Sequence, residues 1–153
     1  MTALLQVLMA GLGSLGFALL YHVRGDKLIL SALGGSLSWG LYLLLEAAIP
    51  SEFTRYFISA FFVAVYAEIL ARKLRTPTTT FLIVAIVPHI PGGSLYYTMR
   101  YALLKQWASC FQQAFYTIKL ALALALGLAA VLSVLNAMQA LRLRASTKKE
   151  NIR

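Results

Sequence analysis

Three ionisable side chains and one broken helix are the places where this chain could do chemistry. Glu46 and Glu68 are the only acidic residues inside apolar runs. A charge in hydrocarbon is expensive, so a carboxylate there is a functional candidate by default. Glu68 either carries a coupling proton or pairs with Arg72, four residues on in the same helix. Glu46 lies within a turn of Pro50 and reads as an interfacial carboxylate facing headgroups. The third group is His89, whose side-chain type ionises near neutral pH and can exchange a proton. Beside proline, it can equally be a hydrogen-bonded packing residue.

His89 sits in the stretch Pro88-His89-Ile90-Pro91-Gly92-Gly93-Ser94, which interrupts an apolar run that starts at Thr80. Proline removes a backbone donor and glycine makes non-helical backbone cheap. Freed backbone groups at membrane depth need protein or cavity water to satisfy them. In transporters such breaks commonly form ligand sites. Ser94 is predicted to cap a second half-helix over Leu95-Tyr96-Tyr97-Thr98. Its first free N–H groups would favour a carboxylate, and carbonyls freed before Pro91 would accept from an ammonium. An amino acid carries both groups. The competing reading is a plain kink repaired by a neighbour.

Other chemistries find no support. There is no nucleophile elbow, no zinc-protease helix and no phosphate-cradling loop. His22 and His89 are far apart and Cys110 is a lone cysteine, so neither a metal site, a cofactor nor a disulfide is expected. An enzyme is not expected. The net charge of +9 gathers at the ends of apolar runs, which is the pattern of lipid headgroup contact and topology setting, not of nucleic-acid binding.

The elements that must position these residues are membrane helices. The chain is 60% hydrophobic and only 12% charged, with mean hydropathy +0.75. The fold expected is an all-α polytopic membrane protein of about five spans: 3–21, 28–49, 53–70, 80–100 and 117–141, with the fourth broken at Pro88–Ser94. The first is read as a retained span, not a signal peptide. Ala32, Ser36 and Gly40 make a small-residue packing face. Trp39 and Tyr42 read as packing residues. Residues 101–116 mix aromatics with Lys105, Gln106, Gln112 and Gln113, and either lie in the headgroup plane or extend a helix packed on protein. Residues 1–141 form one transmembrane domain, and 142–153 a basic, frayed cytoplasmic tail.

Charge counting orients the spans. With five crossings, one side holds ten basic residues: Arg24, Lys27, Arg72, Lys73, Arg75 and five in the tail. The other holds four: Arg55, Arg100, Lys105 and Lys119. A re-entrant fourth run would reduce the bias to eight against six. The positive-inside rule therefore favours five crossings, with the N-terminus outside and the C-terminus in the cytoplasm.

The stretch from Tyr66 to Phe81, with Glu68-Ile69-Leu70-Ala71-Arg72 and Arg75-Thr76-Pro77, is followed by Pro88-His89-Ile90-Pro91-Gly92 and Tyr96. Together they resemble the threonine/serine exporter family, and more narrowly the small, membrane-only subunit of its split, two-component exporters. The resemblance implies a proton-driven exporter of small hydroxy amino acids in the bacterial inner membrane, working with a larger multi-span partner subunit. Some such pairs are associated with small dicarboxylates. The family pattern carries over to Glu68, Arg72, Pro77, Phe81, Pro88, Pro91, Gly92 and Tyr96; His89 departs from it, since that position is often apolar. The reading is that Pro88, Pro91, Gly92, Gly93, Ser94 and Tyr96 line the substrate path, and that Glu68 couples protons or gates near the cytoplasmic face, or else forms a structural ion pair with Arg72. The alternative is a non-transporting subunit that stabilises the larger partner. Pairing of the chain with itself stays open.

Overall fold

The computed structural model describes residues 2–150, with side chains through residue 135. All regular structure among the described residues is helical: α1 (Ala3–Leu20), α2 (Asp26–Glu46), α3 (Glu52–Leu74), α4 (Thr79–Ala85), a 3₁₀ turn (Val87–His89), α5 (Gly92–Leu103) and α6 (Trp107–Glu150). Three helices, α1, α2 and the Trp107–Leu135 part of α6, are long and apolar enough to cross a membrane. The bent pair Thr79–His89 and Gly92–Leu103 makes a fourth if counted as one span. Adding α3, which has 23 residues but more charge, gives the five runs of the sequence.

Local sequence sets the boundaries. Ser51 caps α3 by accepting from the Thr54 N–H, directly after Pro50. Arg75 ends it in the left-handed region at φ 50°. Gly25, at φ 66°, precedes α2.

α2 is the centre of the bundle. Ser31, Gly34, Gly35, Ser38 and Tyr42 form its buried stripe, spaced for one helix face. At Gly34 the missing side chain admits Tyr66, whose ring carbon would lie 2.6 Å from a Cβ built there. The Tyr66 hydroxyl then donates to the Leu30 carbonyl at 2.7 Å. The Ala32, Ser36, Gly40 face turns the other way and meets α1, where Ser36 lies against Gly11 and Gly40 against Val7.

α3 and α6 run parallel. Tyr116 bonds Glu52 near their starts, Gly127 lies on Phe57 and Ala60, and Leu135 shares a groove with Arg72 near the end of α3. The chain between Leu74 and Trp107 must therefore return from one end of the bundle to the other. The α4–α5 pair makes that return with a 54° bend, so it crosses the bundle.

Residues 101–116 divide between two helices, and 107–116 follow the second expectation, extending the last span where it packs on α3 and α5. α5 runs through Leu103, a turn with Lys105 at φ 55° follows, and Trp107 already opens α6. α5 and α6 thus form a helical hairpin. At 44 residues α6 is about 66 Å long at 1.5 Å per residue, well beyond about 30 Å of hydrocarbon. Its backbone continues through 142–150 of the basic tail; the tail side chains and residues 151–153 lie outside the described residues.

Candidate functional site

The break is built differently from the cap expected at Ser94. Pro91 occupies the N-cap position of α5 and Ser94 lies inside the first turn. Ser94 offers no side-chain cap; its carbonyl accepts from the Thr98 hydroxyl at 2.8 Å. Proline suits this place because the missing N–H is one a helix start would leave unpaired. The Gly92 N–H turns back to the Ile90 carbonyl at 2.7 Å, and Leu95 N–H makes the first helical bond, to Pro91.

The residues of the break face two ways. His89 is completely buried, while Gly92, Gly93 and Tyr96 are exposed and α5 buries no residue at all. Pro88 and Pro91 are half-buried. Pro88 joins Gln6, Met9, Ala10 and Trp39 in lining a cleft of about 320 Å³ between α1, α2 and the turn.

His89 is not the hydrogen-bonded packing residue that its setting beside proline suggests. Neither ring nitrogen has a partner. The ring is caged by Trp39, Tyr42 and Tyr56, with centroids 5.5, 6.1 and 5.9 Å away and steep edge-on geometry. Behind the cage lies a polar cluster. The Tyr42 hydroxyl donates to Glu52 at 3.3 Å, and the Tyr116 hydroxyl donates to the other carboxylate oxygen. The Arg55 guanidinium lies 5.0 Å over the Tyr42 ring and pairs with Glu46 at 3.4 Å. Glu46 is thus a pair partner as well as a surface carboxylate.

Glu68 lies at the opposite end of α3. Arg72 Nε donates to one carboxylate oxygen at 2.7 Å and the Thr78 hydroxyl to the other at 2.8 Å. The carboxylate therefore ties the end of α3 to the start of α4. Glu68 and His89 are not brought together. Among the described residues no group of three or more His, Cys, Asp or Glu could hold a metal ion.

A sequence model of the threonine/serine exporter family, ThrE, matches residues 6–134. The chain belongs to this family. The match runs from α1 into α6 and includes the whole broken span. No curated protein and no solved structure matches the chain. The family is one of membrane transporters, which agrees with helices long enough to span a bilayer.

Within this exporter-family chain the cage residues Trp39, Tyr42 and Tyr56, and Glu52 and Arg55 behind them, are the ones the amino-acid sequence does not assign to a site. A signal is present: Trp39 and Tyr42 are three apart on one helix face, and Arg55 stands among aromatics early in a span.

The two glycines of the break make a clear prediction. A Cβ at Gly92 or Gly93 meets nothing within 4 Å. Gly92→Ala and Gly93→Ala should leave the thermal midpoint of the purified chain unchanged or raise stability by at most about 1 kcal/mol, through helix propensity. A fall in export with stability intact would place these glycines against another molecule.

Proposed function

We propose that this chain is a membrane subunit of a secondary exporter that moves threonine, serine or a similar small amino acid out of the cell, driven by the proton gradient. The family match across the spans and the break carries this reading. The substrate path runs beside the break at Pro88–Ser94, where a bent span leaves backbone groups free of regular helix pairing. The membrane is the bacterial inner membrane, with the N-terminus outside and the basic end, Arg72 to Arg75 and the tail, in the cytoplasm. A larger multi-span subunit covers α5, whose lack of any buried residue supports a contact surface there. The same observation supports a second reading, in which the chain stabilises a partner that does the transporting.

Glu68 acts in gating at the cytoplasmic end. Its bonds to Arg72 and Thr78 fix how α4 leaves α3, and Arg72 is half exposed, so the pair itself is worth at most about 1 kcal/mol. Efflux of threonine, serine and a small dicarboxylate is to be measured from cells expressing the chain with its partner and from cells lacking both. Threonine or serine efflux dependent on the pair is the expected result. Glu68→Gln, which still accepts from Thr78, should retain most efflux, and Glu68→Ala should lose several-fold at equal expression. Efflux insensitive to both variants would remove Glu68 from the gate. Dicarboxylate efflux alone would replace the substrate.

A further inference from the structure

Among the described residues, one fully buried ionisable side chain is left uncommitted by its own contacts. His89 is 0% exposed and neither imidazole nitrogen has a hydrogen-bond partner. A buried polar group left unpaired is costly, and the ring carries a donor and an acceptor. Phenylalanine or leucine would fill the same volume without that cost. The position is also mechanical. His89 ends the 3₁₀ turn, Ile90 is extended, and the two halves of the span diverge there by 54°.

The surroundings suit a group that is neutral at one moment and cationic at another. Trp39, Tyr42 and Tyr56 surround the ring, and aromatic faces stabilise a cation out of water. The titratable groups facing it are the phenols of Tyr42 on α2 and Tyr56 on α3. One contact further out stand Glu52, which accepts from Tyr42 and from Tyr116 of α6, and Arg55, which pairs with Glu46. α1 and α4, also packed on the turn, bring no ionisable side chain. The other carboxylates inside the spans are engaged: Glu68 by Arg72 and Thr78, Glu46 by Arg55.

We propose that His89 is the proton-carrying residue of the export cycle, with the Trp39–Tyr42–Tyr56 cage holding the imidazolium in transit. This deepens the proton-coupled reading above and rests on it. When the hinge opens to one side, the free ring nitrogen takes a proton from hydronium there: an O–H bond breaks, a water is left and an N–H bond forms. When it opens to the other side, that N–H bond breaks and the proton passes to water. Trp39 lines the cleft at Pro88 and also lies against the ring, so on this proposal the hinge and the indole control access together.

Trp39 also supplies a reporter, because the chain has only one other tryptophan, Trp107. In the Trp107→Phe background, the full chain in lipid nanodiscs is titrated from about pH 8 down to about pH 3.5, a window wide enough for a buried imidazole as well as a solvated one. A reversible step in Trp39 emission is expected, because a charge on the neighbouring ring perturbs the indole. The step should vanish in His89→Gln and in His89→Phe, the second of which keeps the cage filled. In the second arm, everted vesicles carry the chain with its partner. His89→Gln should lose threonine uptake driven by an imposed pH gradient while keeping threonine–threonine exchange without one. A flat titration with His89 present, a step that survives both variants, or gradient-driven uptake retained in His89→Gln overturns the proposal. If the wild-type pair moves no threonine in either mode, the export reading itself falls; the emission step, which reads proton binding without transport, tells that failure from the others.

Discussion

Phe81→Ala should lower the stability of the detergent-solubilised chain by about 3 kcal/mol, read as a fall in thermal midpoint, and should abolish export even where the protein still reaches the membrane. Phe81 is fully buried and is the largest such side chain among the described residues. It packs with Ala67 and Ala71 of α3, and Leu30, Leu70, Leu74 and Leu82 close around it. α4 has only seven residues, and helices shorter than about 12 residues are marginal without tertiary packing. The half-span is therefore held by its contacts, and Phe81 is the principal one. In a bilayer the transfer of apolar surface counts for less, because lipid is also apolar. The lost dispersion contacts and the cavity remain. Phe81→Leu refills most of the volume and should cost roughly 1 kcal/mol. If alanine and leucine behave alike, α4 is held by something other than this ring.

The same residue marks the boundary of what the amino-acid sequence makes legible. Helix class, the break, the Ala32–Ser36–Gly40 face and the Glu68–Arg72 spacing are all local patterns, set by hydropathy, by proline and by helical period. Phe81 stands out only through its place in a family pattern, since one aromatic in an apolar run carries no periodic signal. The His89 cage is not legible, because its walls come from α2 and α3 and its centre from the turn after α4. No spacing rule connects Trp39, Tyr56 and His89. The turn at Lys105 is hidden for another reason: it takes φ 55° without glycine, asparagine or proline to announce it. The cap falls on Pro91 instead of Ser94 because a proline at a helix start gives up nothing, while the serine hydroxyl is not needed there.

Glycines divide by what stands opposite them, and Gly127 should be the most sensitive. A Cβ there would lie 2.5 Å from the Phe57 carbonyl oxygen, 2.8 Å from the Ala60 Cβ and 3.2 Å from the Phe61 nitrogen. Two of these are backbone atoms of α3, which cannot rotate aside, so the two helices must separate. Gly127→Ala should cost about 2 kcal/mol as overpacking, and Gly127→Leu should prevent stable folding. Gly127→Ala combined with Ala60→Gly should recover only part of the loss, because it relieves the Cβ clash and leaves the one with the Phe57 carbonyl. Full recovery would show that the Phe57 backbone yields. The functional consequence follows from position. Phe57 adjoins Tyr56, one wall of the His89 cage, and the α3–α6 contact also carries the Glu52–Tyr116 bond. Moving α3 off α6 therefore moves a cage wall relative to His89. In the Trp107→Phe background the Gly127→Ala chain should show the Trp39 titration step shifted in midpoint. Gly92→Ala and Gly93→Ala, on a face that touches nothing in the chain, should leave that midpoint where it is.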